Sequence, residues 1–132
     1  MVKQPGSRPN LSASEWEVMK VIWGTGPMAT RDIYEQLSQD RDWAYSTVKT
    51  LVRRMVAKGW LEYTQVGNSY LYRAAVPRNT AVRSAVKEFA NRVLDGVLSP
   101  FVAYYAEEKG LSPEDVAELE RIIGRHREKG GR

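Results

Sequence analysis

Ala44-Tyr45-Ser46-Thr47-Val48-Lys49-Thr50-Leu51-Val52-Arg53-Arg54-Met55-Val56-Ala57-Lys58-Gly59 is the stretch that decides how this chain folds. Wound as a helix at about 100° per residue, it places Val48, Leu51, Val52, Met55 and Val56 in one arc, and Ser46, Thr47, Lys49, Thr50, Arg53 and Arg54 in the opposite one. One side suits a core and the other a polar partner. Gly59 is a natural stop, because the left-handed residue that ends a helix is easiest without a Cβ. No acid occurs between Ala44 and Gly59, whereas a merely solvated helix usually mixes both signs. The pattern favours a phosphate-rich partner over an ordinary solvated face.

Working outward, Trp60-Leu61-Glu62-Tyr63-Thr64-Gln65-Val66 and Ser69-Tyr70-Leu71-Tyr72-Arg73 are two β-rich runs joined by Gly67-Asn68, which is a hairpin pattern. On the other side, Thr30 is a candidate N-cap for a short helix over 31–38 that turns Ile33, Tyr34 and Leu37 inward. Further back, Ser12 and Glu15 have capping-box spacing and Leu11 with Trp16 has hydrophobic-staple spacing. Trp16, Met19, Ile22 and Trp23 then form a buried face that ends at Gly24 and Gly26-Pro27. Three helices followed by a two-stranded hairpin is the order of a winged helix-turn-helix. Its third helix enters a major groove and its hairpin lies alongside.

Past Pro77 the period is helical again. Val82, Val86, Phe89 and Val93 make one stripe, interrupted at Asp95-Gly96. Ser99-Pro100 and Ser112-Pro113 each set a capping side chain before a proline at the first helical position, and the last helix carries Leu119, Ile122 and Ile123. A helical lobe of about 55 residues cannot bury Val86, Phe89, Val93, Leu98, Phe101, Tyr104, Tyr105, Leu119, Ile122 and Ile123 by itself. Packing back onto the winged helix is one solution, and intertwining with a second copy in a two-fold dimer is the favoured one. The expected division is a loose N-terminal arm over 1–10, a winged helix over 11–76 and a helical dimerisation lobe over 77–132. The fold class is mainly α with a small β-hairpin.

Composition removes most other chemistry. With 132 residues, 42% apolar and no long uncharged apolar run, the chain reads as a small soluble protein that does not cross a membrane. Met1 to Asn10 carry no apolar stretch, so a cytoplasmic address is expected. With no cysteine and a single histidine, His126, there is no thiolate metal site, disulfide or Cys nucleophile, and neither metal nor cofactor is expected. His126 lies in a basic tail where a cation suits the end of a helix. Glu114, Asp115 and Glu118 are better explained as helix N-terminal acids than as catalytic groups, so no enzyme is expected. The net charge is only +4, but it is concentrated. Residues 46–73 hold Lys49, Arg53, Arg54, Lys58 and Arg73 against Glu62 alone.

In a groove, Ser46, Thr47 and Thr50 can meet base edges or phosphates, while Lys49, Arg53 and Arg54 neutralise phosphates. Asn68 and Ser69 at the hairpin tip, with Arg73 behind them, are candidate backbone contacts or simply turn residues. Tyr63, Tyr70 and Tyr72 are expected to serve sheet and core packing rather than base stacking. The rival from another class is a winged helix used for protein docking, with no specific DNA binding.

Leu11-Ser-Ala-Ser-Glu-Trp-Glu-Val-Met-Lys-Val-Ile-Trp, Tyr45-Ser-Thr-Val-Lys-Thr-Leu-Val-Arg-Arg-Met-Val-Ala-Lys-Gly-Trp-Leu and Val66-Gly-Asn-Ser-Tyr-Leu-Tyr-Arg resemble the BlaI/MecI/CopY family of bacterial repressors. The resemblance runs from about Leu11 to Ile123. It implies a homodimeric repressor on a pseudo-palindromic operator of double-stranded DNA, with the third helix as recognition helix, Thr30 and Arg31 in support, and interlocking C-terminal helices. A membrane-linked sensor protease pathway belongs to its β-lactam branch. The Asn-Phe pair cut there is replaced here by Tyr104-Tyr105, and the Cys-x-Cys hook of the copper branch has no counterpart.

Overall fold

Ser12, held extended at φ −74° and ψ 169°, starts helix α1 (Ala13–Thr25). Its Oγ accepts from the Glu15 amide at 3.2 Å, and the Glu15 carboxylate accepts from the Ser12 amide at 2.8 Å, which satisfies two otherwise orphaned donors. A computed structural model describes residues 8–130 of the chain and divides it into two compact units, Met1–Val86 and Lys87–Arg132.

In the first unit α1 buries Glu15, Val18, Met19 and Ile22. The tryptophans expected on that face lie at its rim: Trp16 and Trp23 are partly buried, with ring centroids 5.9 Å apart. An indole needs a partner for its N–H, and Trp23 Nε1 finds one at the edge by donating to the Val76 carbonyl at 3.0 Å. The second helix, α2 (Thr30–Leu37), is capped by the backbone of Ala29 with no side-chain bond, so Thr30 is not the expected N-cap. The third, α3 (Tyr45–Lys58), ends at Gly59, whose φ of 89° lets the Trp60 amide donate back to the Met55 carbonyl at 2.9 Å.

Strands β1 (Leu61–Val66) and β2 (Ser69–Ala74) pair antiparallel, from Leu61 with Ala74 to Val66 with Ser69. Gly67 takes φ 61° in the two-residue loop between them, the positive first turn position such hairpins favour. Met28, just before α2, forms a further antiparallel bridge with Tyr72 through amide–carbonyl bonds of 2.9 and 2.8 Å. That bridge ties the hairpin to the helices. Ile33 and Leu37 of α2, Val48, Leu51, Val52 and Met55 of α3, Leu61 and Val76 join the α1 residues in one core.

Ala81 also belongs to this core, so the first turns of α4 (Arg78–Phe89) go with the winged helix. The division of the chain accordingly falls inside α4, beyond the boundary expected after Val76. The arm expected over 1–10 is pinned at its described end. Arg8 Nε donates to the Gly59 carbonyl at 2.7 Å, and Trp60 Nε1 donates to the Pro9 carbonyl at 2.8 Å. Residues 1–7 lie outside the described residues.

In the second unit α4 runs on as a π-helical turn over Ala90–Leu94 and stops at Asp95, which takes the left-handed φ of 50°. Helix α5 (Ser99–Tyr104) follows and likewise passes into a π-helical turn, Tyr105–Lys109. Helix α6 (Pro113–Glu128) starts with a second capping box, between Ser112 and Asp115. Ser99 does not cap α5, because the chain is already helical at Leu98 and Ser99 falls within the helix. No described residue of this unit is buried.

Candidate nucleic-acid interface

Helix α3 sorts its side chains as its sequence period demands: Val48, Leu51, Val52 and Met55 are buried, while Ser46, Thr47, Lys49, Thr50, Arg53 and Arg54 are exposed. Gly59 and the Trp60 bond close its far end, and β1 leaves immediately, so the hairpin folds back beside the exposed side. Between them lies an open groove of about 690 Å³. Tyr45, Lys49, Arg53 and Val56 of α3 form one wall, and Tyr63, Asn68, Ser69, Tyr70 and Tyr72 of the hairpin form the other. Ala29, Thr30 and Arg31 close one end from the start of α2.

The cations of this surface are available. Among the described residues no carboxylate lies within 4.0 Å of Arg31, Lys49, Arg53 or Arg54. Elsewhere the same charge type is paired: Arg41 with Glu17 at 2.9 Å, and Lys58 with Glu15 at 2.9 Å. Arg73 belongs to the paired set. Its position in β2 alternates with Tyr70 and Tyr72, so it stands on the opposite face, donating to Glu62 at 3.0 Å and to the Thr64 hydroxyl at 2.6 Å. Of the residues expected to contact DNA, the structure therefore gathers Thr30, Arg31, Lys49, Arg53, Asn68 and Ser69 in the groove. It leaves Ser46, Thr47, Thr50 and Arg54 exposed further around α3, and sets Arg73 apart.

Aromatic residues are the part the sequence pattern concealed. Tyr63 and Tyr70 are exposed rather than core residues, with ring centroids 4.7 Å apart. Tyr72 is half-buried. Burial pushes its phenol above the ordinary 10.0, against the opposing effect of Thr30 at the start of α2. Tyr45 carries the Arg31 guanidinium 4.7 Å and the Lys49 ammonium 5.7 Å from its ring centroid. Alternating tyrosines read equally as sheet packing, and only the position of α3 opposite them turns their outer surface into a wall.

The residues expected to mediate dimerisation all lie exposed: Val86 in the first unit, and Phe89, Val93, Leu98, Phe101, Tyr104, Tyr105, Leu119, Ile122 and Ile123 in the second. Phe101 packs edge-on against Phe89 at 5.8 Å and lies 6.0 Å from Tyr105, which leaves it 41% exposed. No metal-binding cluster occurs among the described residues, and none of their helices is long and apolar enough to cross a membrane.

Three helices closed by a bridged hairpin, with unpaired cations and hydroxyls presented by the third helix beside the wing, define a winged helix-turn-helix of the DNA-binding class. A sequence model described as penicillinase repressor matches residues 11–125, and the chain belongs to that family of DNA-binding transcriptional repressors, which are not enzymes. It is 30% identical to the penicillinase repressor of Bacillus licheniformis over 121 residues, covering 92% of this chain and 94% of the relative. It is 29% identical to the methicillin resistance regulatory protein MecI of Mammaliicoccus sciuri over 115 residues, 87% of this chain and 94% of that one. Among solved structures, the DNA-binding domain of the repressor BlaI superposes with a TM-score of 0.52 at 29% identity, covering 60% of this chain and 93% of the domain.

Proposed function

We propose that the chain acts as a cytoplasmic homodimeric repressor that sets two copies of α3 into successive major grooves of a pseudo-palindromic operator. The observation that carries this is the exposed, acid-free side of α3, whose Lys49, Arg53 and Arg54 have no carboxylate partner among the described residues. Ser46, Thr47 and Thr50 then read base edges or fix register, the cations grip phosphates, and Asn68 and Ser69 reach the backbone from the wing. The second unit supports the dimer, because Phe89, Val93, Phe101, Tyr104 and Tyr105 remain exposed in a single chain and a two-fold partner covers such a surface. A signal that loosens this lobe, through a sensor-linked protease or otherwise, releases the operator because each half-site is then held alone.

Selection of bound duplexes from random DNA supplies the site, and titration against it and a scrambled duplex tests the reading. Thr47→Ala and Thr50→Ala are expected to reduce the preference for the selected site by roughly tenfold each, from about 1–3 kcal/mol per base contact. Arg53→Ala and Arg54→Ala should weaken both duplexes alike and each make the slope of log K against log salt shallower by about 0.9. Four identical outcomes would defeat this division of labour. Binding of the unaltered protein that ignores salt would instead favour protein docking through apolar surface.

A further inference from the structure

Tyr45 is the first residue of α3 and lines the groove, half-buried. By the helix period it falls in the apolar arc, between Val52 and Val56, yet it is only half-buried because that edge of the arc opens on the groove. The edge of Tyr34, itself packed on the core, meets the Tyr45 ring at 5.4 Å and 83°. The same ring receives two cations from different elements: Arg31 of α2 at 4.7 Å and Lys49, one turn along α3, at 5.7 Å. Arg31 also lies 5.9 Å from the Tyr34 ring. Neither cation has a carboxylate within 4.0 Å among the described residues, so an aromatic surface is what holds them.

We propose that Tyr45 is a positioning residue of this interface, whose ring holds Arg31 and Lys49 in place for the phosphates of a DNA backbone. The inference rests on the DNA-binding reading above. Long basic side chains give up rotamer freedom when they grip a phosphate, and a cation already parked over a ring has surrendered part of it beforehand. A ring is also the right holder. It attracts the charge without neutralising it, as a carboxylate would, so the cation stays available for an incoming phosphate. Through Tyr34 the arrangement is anchored to the core, which couples the start of α2 to the start of α3.

The test uses the full-length protein, the selected duplex and a scrambled duplex, with Tyr45→Phe and Tyr45→Leu. Tyr45→Phe keeps the ring and is expected to bind within about twofold of the unaltered protein. Tyr45→Leu keeps apolar bulk but removes the ring. It should weaken binding to both duplexes by roughly tenfold, because Arg31 and Lys49 must then give up their rotamer freedom when they bind. Its salt slope should be shallower by about 0.9 for each phosphate no longer neutralised. In the free protein, the ring-current shift of the Arg31 δ protons should persist in Tyr45→Phe and vanish in Tyr45→Leu, with the thermal midpoint of both near that of the unaltered chain. Unchanged affinity and slope in Tyr45→Leu, against a tightly binding unaltered protein, overturn this inference alone. So does Tyr45→Phe behaving like Tyr45→Leu, which would make the hydroxyl a direct contact. An unaltered protein that binds no duplex overturns the DNA-binding reading and this inference together.

Discussion

Phe101→Asp in the full-length chain is expected to yield a monomer that binds a two-half-site operator at least about a hundredfold more weakly than the unaltered protein. Within one chain Phe101 touches Phe89 and Tyr105 and is otherwise 41% exposed, so replacing it removes little of the protomer's own packing. In the proposed dimer that exposed surface is covered, and an unpaired carboxylate placed there costs several kcal/mol of desolvation. Operator affinity falls with the dimer because tethering makes the second recognition helix bind at high effective concentration. Sedimentation equilibrium gives the mass, and titrations against duplexes with one and two half-sites give the coupling. Affinity for the single half-site should stay level. A variant that remains dimeric and binds the full operator as before would place the dimer contact elsewhere.

Glu15→Ala should cost the winged-helix unit about 3 kcal/mol, which for a unit of this size lowers its melting midpoint by roughly 15 °C. Glu15 is fully buried, yet it is ionised. Burial pushes its carboxyl up, but the hydrogen bond from the Ser12 amide together with the Lys58 ammonium outweighs this and holds it below the ordinary 4.5. Both carboxylate oxygens lie 2.9 Å from Lys58 Nζ. Removing the acid strands a largely covered lysine, whose side chain is 24% exposed, and opens the capping box at the start of α1. The pair joins the first turn of α1 to the last turn of α3, so its loss loosens the DNA-facing helix as well.

The sign of the pH effect follows. A carboxyl held below its unfolded value stabilises the fold fully above about 4.5, and that contribution is lost as pH falls through the lower folded value. The stability difference between the unaltered protein and Glu15→Gln should therefore be level at neutral pH and shrink on acidification below about 4.5, in urea denaturation at a series of pH values. A gap that widens with acid would mean that the fold holds the Glu15 carboxyl above its unfolded value instead of below it.

The reach of each interaction separates what was legible in the sequence from what was not. The Ser12–Glu15 box, the Ser112 cap before Pro113, the Gly59 stop and the Gly67-Asn68 turn span only a few residues, so their spacing alone announces them. The two faces of α3 follow from its period in the same way, and they carry the DNA-binding reading. Glu15 showed its capping role but not its burial, because its second partner, Lys58, is 43 residues away. Trp23 bonds across 53 residues to Val76, and Arg73 across 11 to Glu62. Neither the rim position of Trp23 nor the pairing of Arg73 is a property of its own helix or strand.

Sequence by itself therefore determined the order of elements, several of their ends and which side of α3 is polar, since each of these depends on the backbone and on neighbours within a turn or two. Tertiary structure alone decided which charges stay available, where the tyrosines stand, that Met28 bridges to Tyr72, and that Thr30 lines the groove instead of capping α2. Those outcomes are competitions for partners among groups far apart in the chain. A polar side chain takes whichever donor, acceptor or ring the folded backbone brings within reach.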